Sequence, residues 1–196
     1  QTLEQILRNA VVLPPARCAS LVAPVCDALA EAHRLGVVHR DVKPENVFVH
    51  ATKGGEVVKV VDFGVAKLFE EPDPSRPELT EDGLVLGTPS YMAPERIMGE
   101  AYDGASDVYS VGVVLYRALC GALPFAQATT ANPYMSALMH VRNRPRPLRE
   151  VNPDVSPELE ALVLGALAKS PATRPTAGEL AAELRRLAGG MEAGHG

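Results

Sequence analysis

The sequence has 196 residues, of which 46% are hydrophobic and 22% charged, proportions typical of a chain that buries a core and not of a disordered one. The formal net charge of −5 argues against a nucleic-acid-binding protein, because such a surface needs a basic stripe. No apolar run approaches the roughly 18 residues of a membrane span. The cysteines Cys18, Cys26 and Cys120 suit neither a disulfide framework nor a zinc site, and with the lack of a secretory signal they predict a cytoplasmic location.

The first third of the chain predicts two helices followed by a β-hairpin. A short helix is expected over about residues 3–9, and helical spacing of apolar residues predicts a longer one over about 16–35, which Gly36 would end. The β-branched runs at 47–49 and 57–61 flank a pair of glycines, a pattern typical of two short strands joined by a turn.

The rest of the chain predicts a surface loop and then only helices. Residues 70–83 are rich in Pro, Glu and Asp and are expected to form the loop. Ser106 is expected to cap one helix, Pro157 to begin another, and Thr176 to open a capping box before the last. The fold class is therefore mainly α (α+β), a helical bundle with a small β-hairpin, because the alternating strands and helices of a doubly wound sheet are absent.

Chemistry-bearing side chains cluster around the hairpin. In the segment HRDVKPEN, residues 39–46, Asp41 could accept a proton from a hydroxyl, Asn46 offers an oxygen to a hard cation, and Lys43 supplies a positive charge. Asp62, at the end of the second strand, would lie near Asn46 and complete a Mg²⁺ site that holds phosphate oxygens. The simpler alternative is that these are turn residues, a solvated lysine and a strand-end cap.

Three motifs in order, HRDVKPEN at 39–46, DFG at 62–64 and GTPSYMAPE at 87–95, resemble those of the eukaryotic-type Ser/Thr protein kinases, bacterial members included. The resemblance runs from about residue 2 to 187. It implies the large (C-terminal) lobe of a kinase domain over residues 1–188 with an activation segment at 62–95, followed by a flexible Gly-rich tail at 189–196.

The resemblance also implies the roles of individual residues and the cofactors ATP and Mg²⁺. Asp41 would be the catalytic base, Lys43 would neutralise the transferred phosphoryl group, and Asn46 and Asp62 would hold Mg²⁺ on ATP. Phe48 would lie on the strand that floors the adenine pocket, where the family more often has Leu.

Further implied roles concern the activation segment and its supports. Thr88 would shape the acceptor pocket, Glu95 would pair with Arg174, and Asp107 would tie the backbone of residues 39–40 to the central helix. Arg40 would receive a regulatory phosphate, for which Thr80 is the first candidate; the alternative is that Thr80 is an ordinary loop threonine.

The sequence lacks the usual marks of a small (N-terminal) lobe. Before Asp41 the only glycine is Gly36, and no lysine precedes Lys43, so a Gly-rich loop and a strand lysine are absent from these residues. We expect the N-terminal lobe to be absent, the isolated chain to be inactive, and the apolar face that such a lobe would cover to be exposed.

The expected function is transfer of the ATP γ-phosphoryl group to Ser/Thr hydroxyls of proteins. Protein substrates and ATP are the expected partners, and a second kinase molecule is a candidate partner. The alternative is a non-catalytic kinase-like interaction module or pseudokinase fragment. A small-molecule phosphotransferase of similar fold is disfavoured. Such enzymes lack a counterpart of the segment at 87–95, which builds a peptide platform and is present in this sequence.

Overall fold

The computed structural model describes residues 1–63, 89–125 and 133–193. Seven helices and two strands lie in these ranges: α1 Leu3–Ala10, α2 Pro15–Arg34, β1 Val47–Thr52, β2 Gly55–Val60, α3 Pro94–Ile97, α4 Gly104–Cys120, α5 Pro133–Arg142, α6 Pro157–Ala166 and α7 Ala177–Ala193. Short 3₁₀ turns occur at Pro44–Asn46, Pro89–Tyr91, Leu148–Glu150 and Pro171–Thr173. The mainly α fold with one small hairpin is confirmed.

Helix α4 forms the centre of the core. Every residue from Ser106 to Cys120 is buried except Arg117, and α4 packs against α2, α6 and α7. A glycine permits the close approach of α6, because a Cβ on Gly112 would lie 3.1 Å from the Cβ of Ala166. The core therefore fixes the elements that flank the hairpin.

The N-terminus of α4 differs from the sequence prediction. Asp103, and not Ser106, caps the helix, accepting a hydrogen bond from the Ala105 amide at 2.8 Å. Ser106 lies inside the first turn, and its hydroxyl donates to the Glu95 carboxylate at 2.6 Å. The prediction was wrong because the Ser106 hydroxyl is hydrogen-bonded to Glu95, a residue outside the helix, and not to the first amides of α4.

The hairpin is antiparallel and is closed by a tight turn. Its register runs from Val47 opposite Val60 to Thr52 opposite Gly55. Gly55 has φ +119°, a backbone conformation that residues with a side chain rarely adopt. Val47 on β1 is buried against the helices. The residues that precede α1 also lie along β1, because the Val49 amide donates to the Gln1 carbonyl at 2.8 Å.

The helix ends match the predictions closely at several points. Helix α2 lies within one residue of the predicted bounds at each end, Ser156 caps α6 with Pro157 as its first residue, and Thr176 and Glu179 form the expected reciprocal capping pair. Helix α7 continues past Gly189 to Ala193, into the segment predicted as a flexible tail. The predicted loop at 70–83 lies outside the described residues.

All three cysteines are free and buried. Burial raises the pKa of Cys18 and of Cys26 to about 12. Such thiols are inert core residues at neutral pH.

Candidate active site

The loop before β1 brings Asp41, Lys43 and Asn46 together. The Nδ2 atom of Asn46 donates to the Asp41 carbonyl at 2.8 Å and to its carboxylate Oδ2 at 3.1 Å. The Lys43 ammonium lies 2.7 Å from the same Oδ2. Asn46 is 7% exposed, whereas the Asp41 side chain is 40% exposed. The loop therefore holds one carboxylate in a fixed orientation while leaving it open to solvent.

The end of β2 is fastened to the same loop. The Val61 amide donates to the Asn46 carbonyl at 3.0 Å, and the Val61 carbonyl is hydrogen-bonded to Nε2 of His39 at 2.9 Å. Asp62 follows directly, is exposed, and has φ +58°, a left-handed conformation that non-glycine residues seldom adopt. The Phe63 ring lies 4.5 Å from the His39 ring. Asp62 thus directly follows a residue whose amide is hydrogen-bonded to the main chain of Asn46.

Asp107, at the start of α4, holds the backbone of the loop. Its Oδ2 accepts from the His39 amide at 2.8 Å and its Oδ1 from the Arg40 amide at 2.9 Å. Arg40 has φ +70°, so these two bonds support a residue in a strained conformation. The contact that the resemblance implies for Asp107 is therefore present.

His33 is a site residue that sequence reasoning missed. Its Nε2 lies 2.8 Å from Oδ2 of Asp107, a residue 74 positions away. The ring packs so tightly on Gly104 that a Cβ there would lie 2.5 Å from Nδ1. A histidine near the end of an amphipathic helix gives no sequence signal for such a contact.

A buried ion pair fastens Glu95, at the start of α3, to the core. The Arg174 guanidinium donates to both carboxylate oxygens of Glu95, at 2.6 and 2.8 Å, and their side chains are 0% and 2% exposed. Burial alone would raise the pKa of Glu95, but the hydrogen bonds from Arg174 and Ser106 together outweigh it and lower the pKa. Arg174 also donates to the Ala105 and Ala168 carbonyls. The predicted pairing of Glu95 with Arg174 is present.

This arrangement matches a known family. The sequence model of the family 'Protein kinase domain' matches residues 1–184 of the chain. The chain belongs to the protein kinase domain family. The predicted resemblance to protein kinases is thereby confirmed.

Several bacterial Ser/Thr kinases are similar to the chain. It is 42% identical over 182 residues to Serine/threonine-protein kinase pkn3 of Myxococcus xanthus, covering 91% of this chain and 32% of that protein. It is 41% identical over 187 residues to Serine/threonine-protein kinase PknB of Mycolicibacterium smegmatis, covering 95% of this chain and 28% of that protein. The chain thus spans about a third of the length of these relatives.

A solved kinase structure shares the fold. The crystal structure of the PknI kinase domain of Mycobacterium tuberculosis superimposes on this chain with a TM-score of 0.66 at 26% identity. The match covers 94% of this chain and 61% of that one. The kinase-fold prediction made from three short motifs is therefore confirmed over nearly the whole chain.

Phe48, the residue expected at an adenine pocket, lies on the hairpin. Phe48 on β1 is 43% exposed and pairs through its backbone with Thr2, and Val57 on β2 is 42% exposed. By the register of the strands, exposed His50 and Lys59 share this face with Phe48 and Val57. The role of Phe48 in an adenine pocket stays a prediction.

The donor set at this kinase site fits a magnesium–nucleotide complex. Mg²⁺ is ordinarily held by one or two protein ligands together with phosphate oxygens and water. Because Nδ2 of Asn46 is engaged by Asp41, its oxygen Oδ1 is the atom that would bind a cation. The Asp62 carboxylate is exposed and is the second candidate ligand. Within the described ranges, no group of three or more His, Cys, Asp or Glu side chains forms a separate metal site.

Arg40 lies in a cluster that the sequence did not reveal. The guanidinium carbons of Arg40 and Arg96 lie 5.7 and 5.3 Å from the centroid of the Tyr102 ring. Arg96 also donates to the Arg40 carbonyl. Thr80 and Thr88, the predicted phosphosite and acceptor-pocket residue, lie outside the described residues.

Over the residues that the structure describes, no helix is long and apolar enough to span a membrane.

A buried histidine lies on α5, the helix that packs against the turn Pro89–Tyr91 and against α3. His140 on α5 is 2% exposed, its Nδ1 is hydrogen-bonded to the Tyr109 hydroxyl at 2.9 Å, and its carbonyl accepts from the Lys169 ammonium at 2.6 Å. Burial, with a smaller contribution from Lys169, lowers the pKa of His140 to about 3. His140 is therefore neutral in the folded kinase lobe at neutral pH.

This pKa predicts an acid-sensitive fold. The unfolded chain takes up a proton on His140 near pH 6.5 and the folded chain only near pH 3, so stability falls as the pH falls between these values. We expect His140 to lower the free energy of unfolding by about 2 kcal/mol between pH 6.5 and pH 5. Urea unfolding at both pH values measures this.

The matched variants for this measurement are His140→Gln and His50→Gln. The first removes the titrating group from the core, so the loss between pH 6.5 and pH 5 should shrink by the same amount. The second changes an exposed position on β1 and should leave the pH dependence as in the parent. An unchanged pH dependence in His140→Gln contradicts the prediction.

Proposed function

We propose that the chain is the large lobe of a serine/threonine protein kinase that transfers the γ-phosphoryl group of ATP to protein hydroxyls. The observation that carries the proposal is the convergence on one carboxylate: Asn46 and Lys43 both contact Oδ2 of Asp41. The hydrogen bond from the Val61 amide to the Asn46 carbonyl supports the placement of Asp62, the next residue, as a second metal ligand. A carboxylate, an ammonium and two metal-binding oxygens at one place are what positioned phosphoryl transfer requires.

Each residue has a role that follows from its placement. Bound Mg²⁺–ATP would supply the phosphoryl group and the cation that offsets its charge, with Asn46 and Asp62 as the protein ligands of the metal. Asp41 orients the acceptor hydroxyl and takes its proton on the carboxylate, which reaches solvent. Lys43 holds that carboxylate and places a positive charge beside the transferred group.

The remaining assignments extend the proposal along the chain. The kinase domain would cover residues 1–188 and its activation segment residues 62–95. Thr80 would carry the regulatory phosphate that Arg40 receives, and Thr88 would shape the acceptor pocket. Protein substrates and ATP are the partners, and a second kinase molecule is a candidate partner.

We further propose that the 196-residue chain alone is inactive. In kinases, a glycine-rich loop covers the ATP phosphates and a strand lysine binds them. Residues 1–40 contain a single glycine, Gly36, and no lysine. These residues therefore do not supply that half of a nucleotide cleft. The test joins the small lobe of the Myxococcus xanthus relative to Gln1; we call the product the lobe-joined protein. Transfer of radiolabelled phosphate is measured for both.

The expected result is transfer by the lobe-joined protein and none by the isolated chain. Transfer by the isolated chain would refute its proposed inactivity. A folded lobe-joined protein that binds acceptor protein but transfers no phosphate would instead favour the alternative, a kinase-like interaction module.

A further inference from the structure

The one residue of Ser106–Cys120 that is not buried, Arg117, joins two distant elements. Its guanidinium forms two bonds with the Glu4 carboxylate of α1, at 2.6 and 3.0 Å, and donates to the Tyr91 hydroxyl at 2.6 Å. We call Glu4, Tyr91 and Arg117 the Arg117 cluster. Its side chains are largely removed from solvent, with Arg117 22% exposed, Glu4 10% and Tyr91 6%.

The charges of the cluster are stable at neutral pH. Hydrogen bonding to Arg117 is the largest influence on Glu4 and lowers its pKa, and hydrogen bonding to Glu4 raises the pKa of Arg117. Burial raises the pKa of Tyr91 to about 12, so its phenol stays neutral and accepts the bond from Arg117. Charge-assisted hydrogen bonds in such partly buried surroundings are the strong ones.

The cluster lies where the acceptor protein would bind. Tyr91 ends the turn Pro89–Tyr91, within the segment 89–95 that we call the acceptor platform. Its carbonyl accepts from the Ser110 hydroxyl at 2.7 Å, so α4 holds the main chain of Tyr91 through Ser110 and its side chain through Arg117. Helix α1, which carries Glu4, contacts the turn Pro44–Asn46 that follows Lys43 directly. Arg117 therefore links the platform to the helix that contacts the catalytic loop.

We infer that Arg117 is a positioning residue for the acceptor: it holds the platform at a fixed place relative to Asp41 without touching the reacting atoms. This inference rests on the proposed kinase function. An acceptor hydroxyl must lie within hydrogen-bond reach of Asp41, so the acceptor binds only to molecules whose platform is in place. A displaced platform lowers the fraction of molecules that can bind the acceptor, which raises its KM and leaves the rate of the bound complex unchanged. The two-pronged guanidinium suits this role, because a lysine cannot bond Glu4 bidentately and reach Tyr91 at once.

Three variants separate the contributions of the cluster. Arg117→Met removes both contacts and keeps much of the side-chain bulk. Arg117→Lys keeps the charge, and Tyr91→Phe removes only the phenol oxygen. The matched control is Arg8→Met, which deletes the other arginine partner of Glu4, at 2.8 Å, from a side chain that is 75% exposed.

The first measurement needs no activity. Hydrogen exchange in the 196-residue chain should be about tenfold faster at the platform amides of Arg117→Met than in the parent, since a charge-assisted hydrogen bond is lost. It should be unchanged in Arg8→Met, and amides of α2 and α7 should be unchanged in both. Equal platform exchange in parent and Arg117→Met overturns the inference.

The second measurement is steady-state kinetics of the lobe-joined protein. We expect the KM for an acceptor peptide to rise about tenfold in Arg117→Met and by less in Arg117→Lys and Tyr91→Phe, with kcat and the KM for ATP unchanged. A loss of kcat with unchanged peptide KM contradicts a positioning role. If Arg117→Met does not fold, the two milder variants decide by the same criterion.

The two measurements distinguish this inference from the proposed function. A parent lobe-joined protein that transfers no phosphate refutes the proposed function, and the hydrogen-exchange result still decides whether Arg117 holds the platform. A parent that transfers phosphate, combined with unchanged peptide KM in all three variants, refutes the inference alone.

Discussion

Asp41→Asn in the lobe-joined protein is expected to lower the rate of phosphoryl transfer by about 10²–10⁴-fold, the usual contribution of a general base. Asparagine has nearly the same shape as aspartate, and the Asp41 carbonyl that binds Asn46 belongs to the backbone and is retained. The variant loses the proton acceptor and the ion pair with Lys43. The rate should fall while the fold survives.

The control for this change is Asp27→Asn, at an exposed aspartate on α2 that pairs with Arg185 far from the loop. It should keep the parental rate. Thermal unfolding of Asp41→Asn should match the parent, and so should its KM for ATP. A rate within about tenfold of the parent would exclude Asp41 as the base.

Arg174→Met is expected to lower the free energy of unfolding of the 196-residue chain by about 3–5 kcal/mol, because it leaves the buried Glu95 carboxylate without its partner. The Ala105 and Ala168 carbonyls also lose their bonds to the guanidinium. Such a loss is a large share of the stability of an ordinary domain. Urea unfolding followed by circular dichroism measures it.

Two further variants keep this prediction testable if Arg174→Met does not fold. The double variant Glu95→Gln with Arg174→Met removes the unpaired charge and should recover part of the loss. The control Arg185→Met breaks a surface ion pair with Asp27 in which both side chains are about half exposed. It should lower the free energy of unfolding by about 0–1 kcal/mol. Equal losses in Arg174→Met and Arg185→Met would contradict the importance assigned to burial.

Local structure could be predicted because its causes lie within a few residues. The hairpin follows from two β-branched runs and a glycine turn, and the last helix from the Thr176–Glu179 capping pair. Asp41 and Asn46 are five residues apart, so their convergence needs only one short loop. Prediction fails where a local signal competes with a distant partner, as when Glu95 takes the Ser106 hydroxyl.

Residues that act across the fold could not be found in this way. His33 meets Asp107 across 74 positions and Glu4 meets Arg117 across 113. Neither contact has a periodicity or spacing that marks it in the sequence. The family resemblance supplied Asp107 and the Glu95–Arg174 pair, but Arg117 and His140 became visible only once the helices were packed.

If Asp41, Asn46 and Asp62 surround one metal–nucleotide complex, a metal bound with the nucleotide must lie near all three. Titration of the isotope-labelled lobe-joined protein with Mn²⁺–ATP measures this, because the paramagnetic ion broadens NMR signals of nearby nuclei. We predict selective broadening of the Asn46 side-chain amide and of the backbone amides of Asp41 and Asp62, reversed by excess Mg²⁺. Broadening centred elsewhere, or confined to only one of these three residues, would contradict a shared metal–nucleotide site.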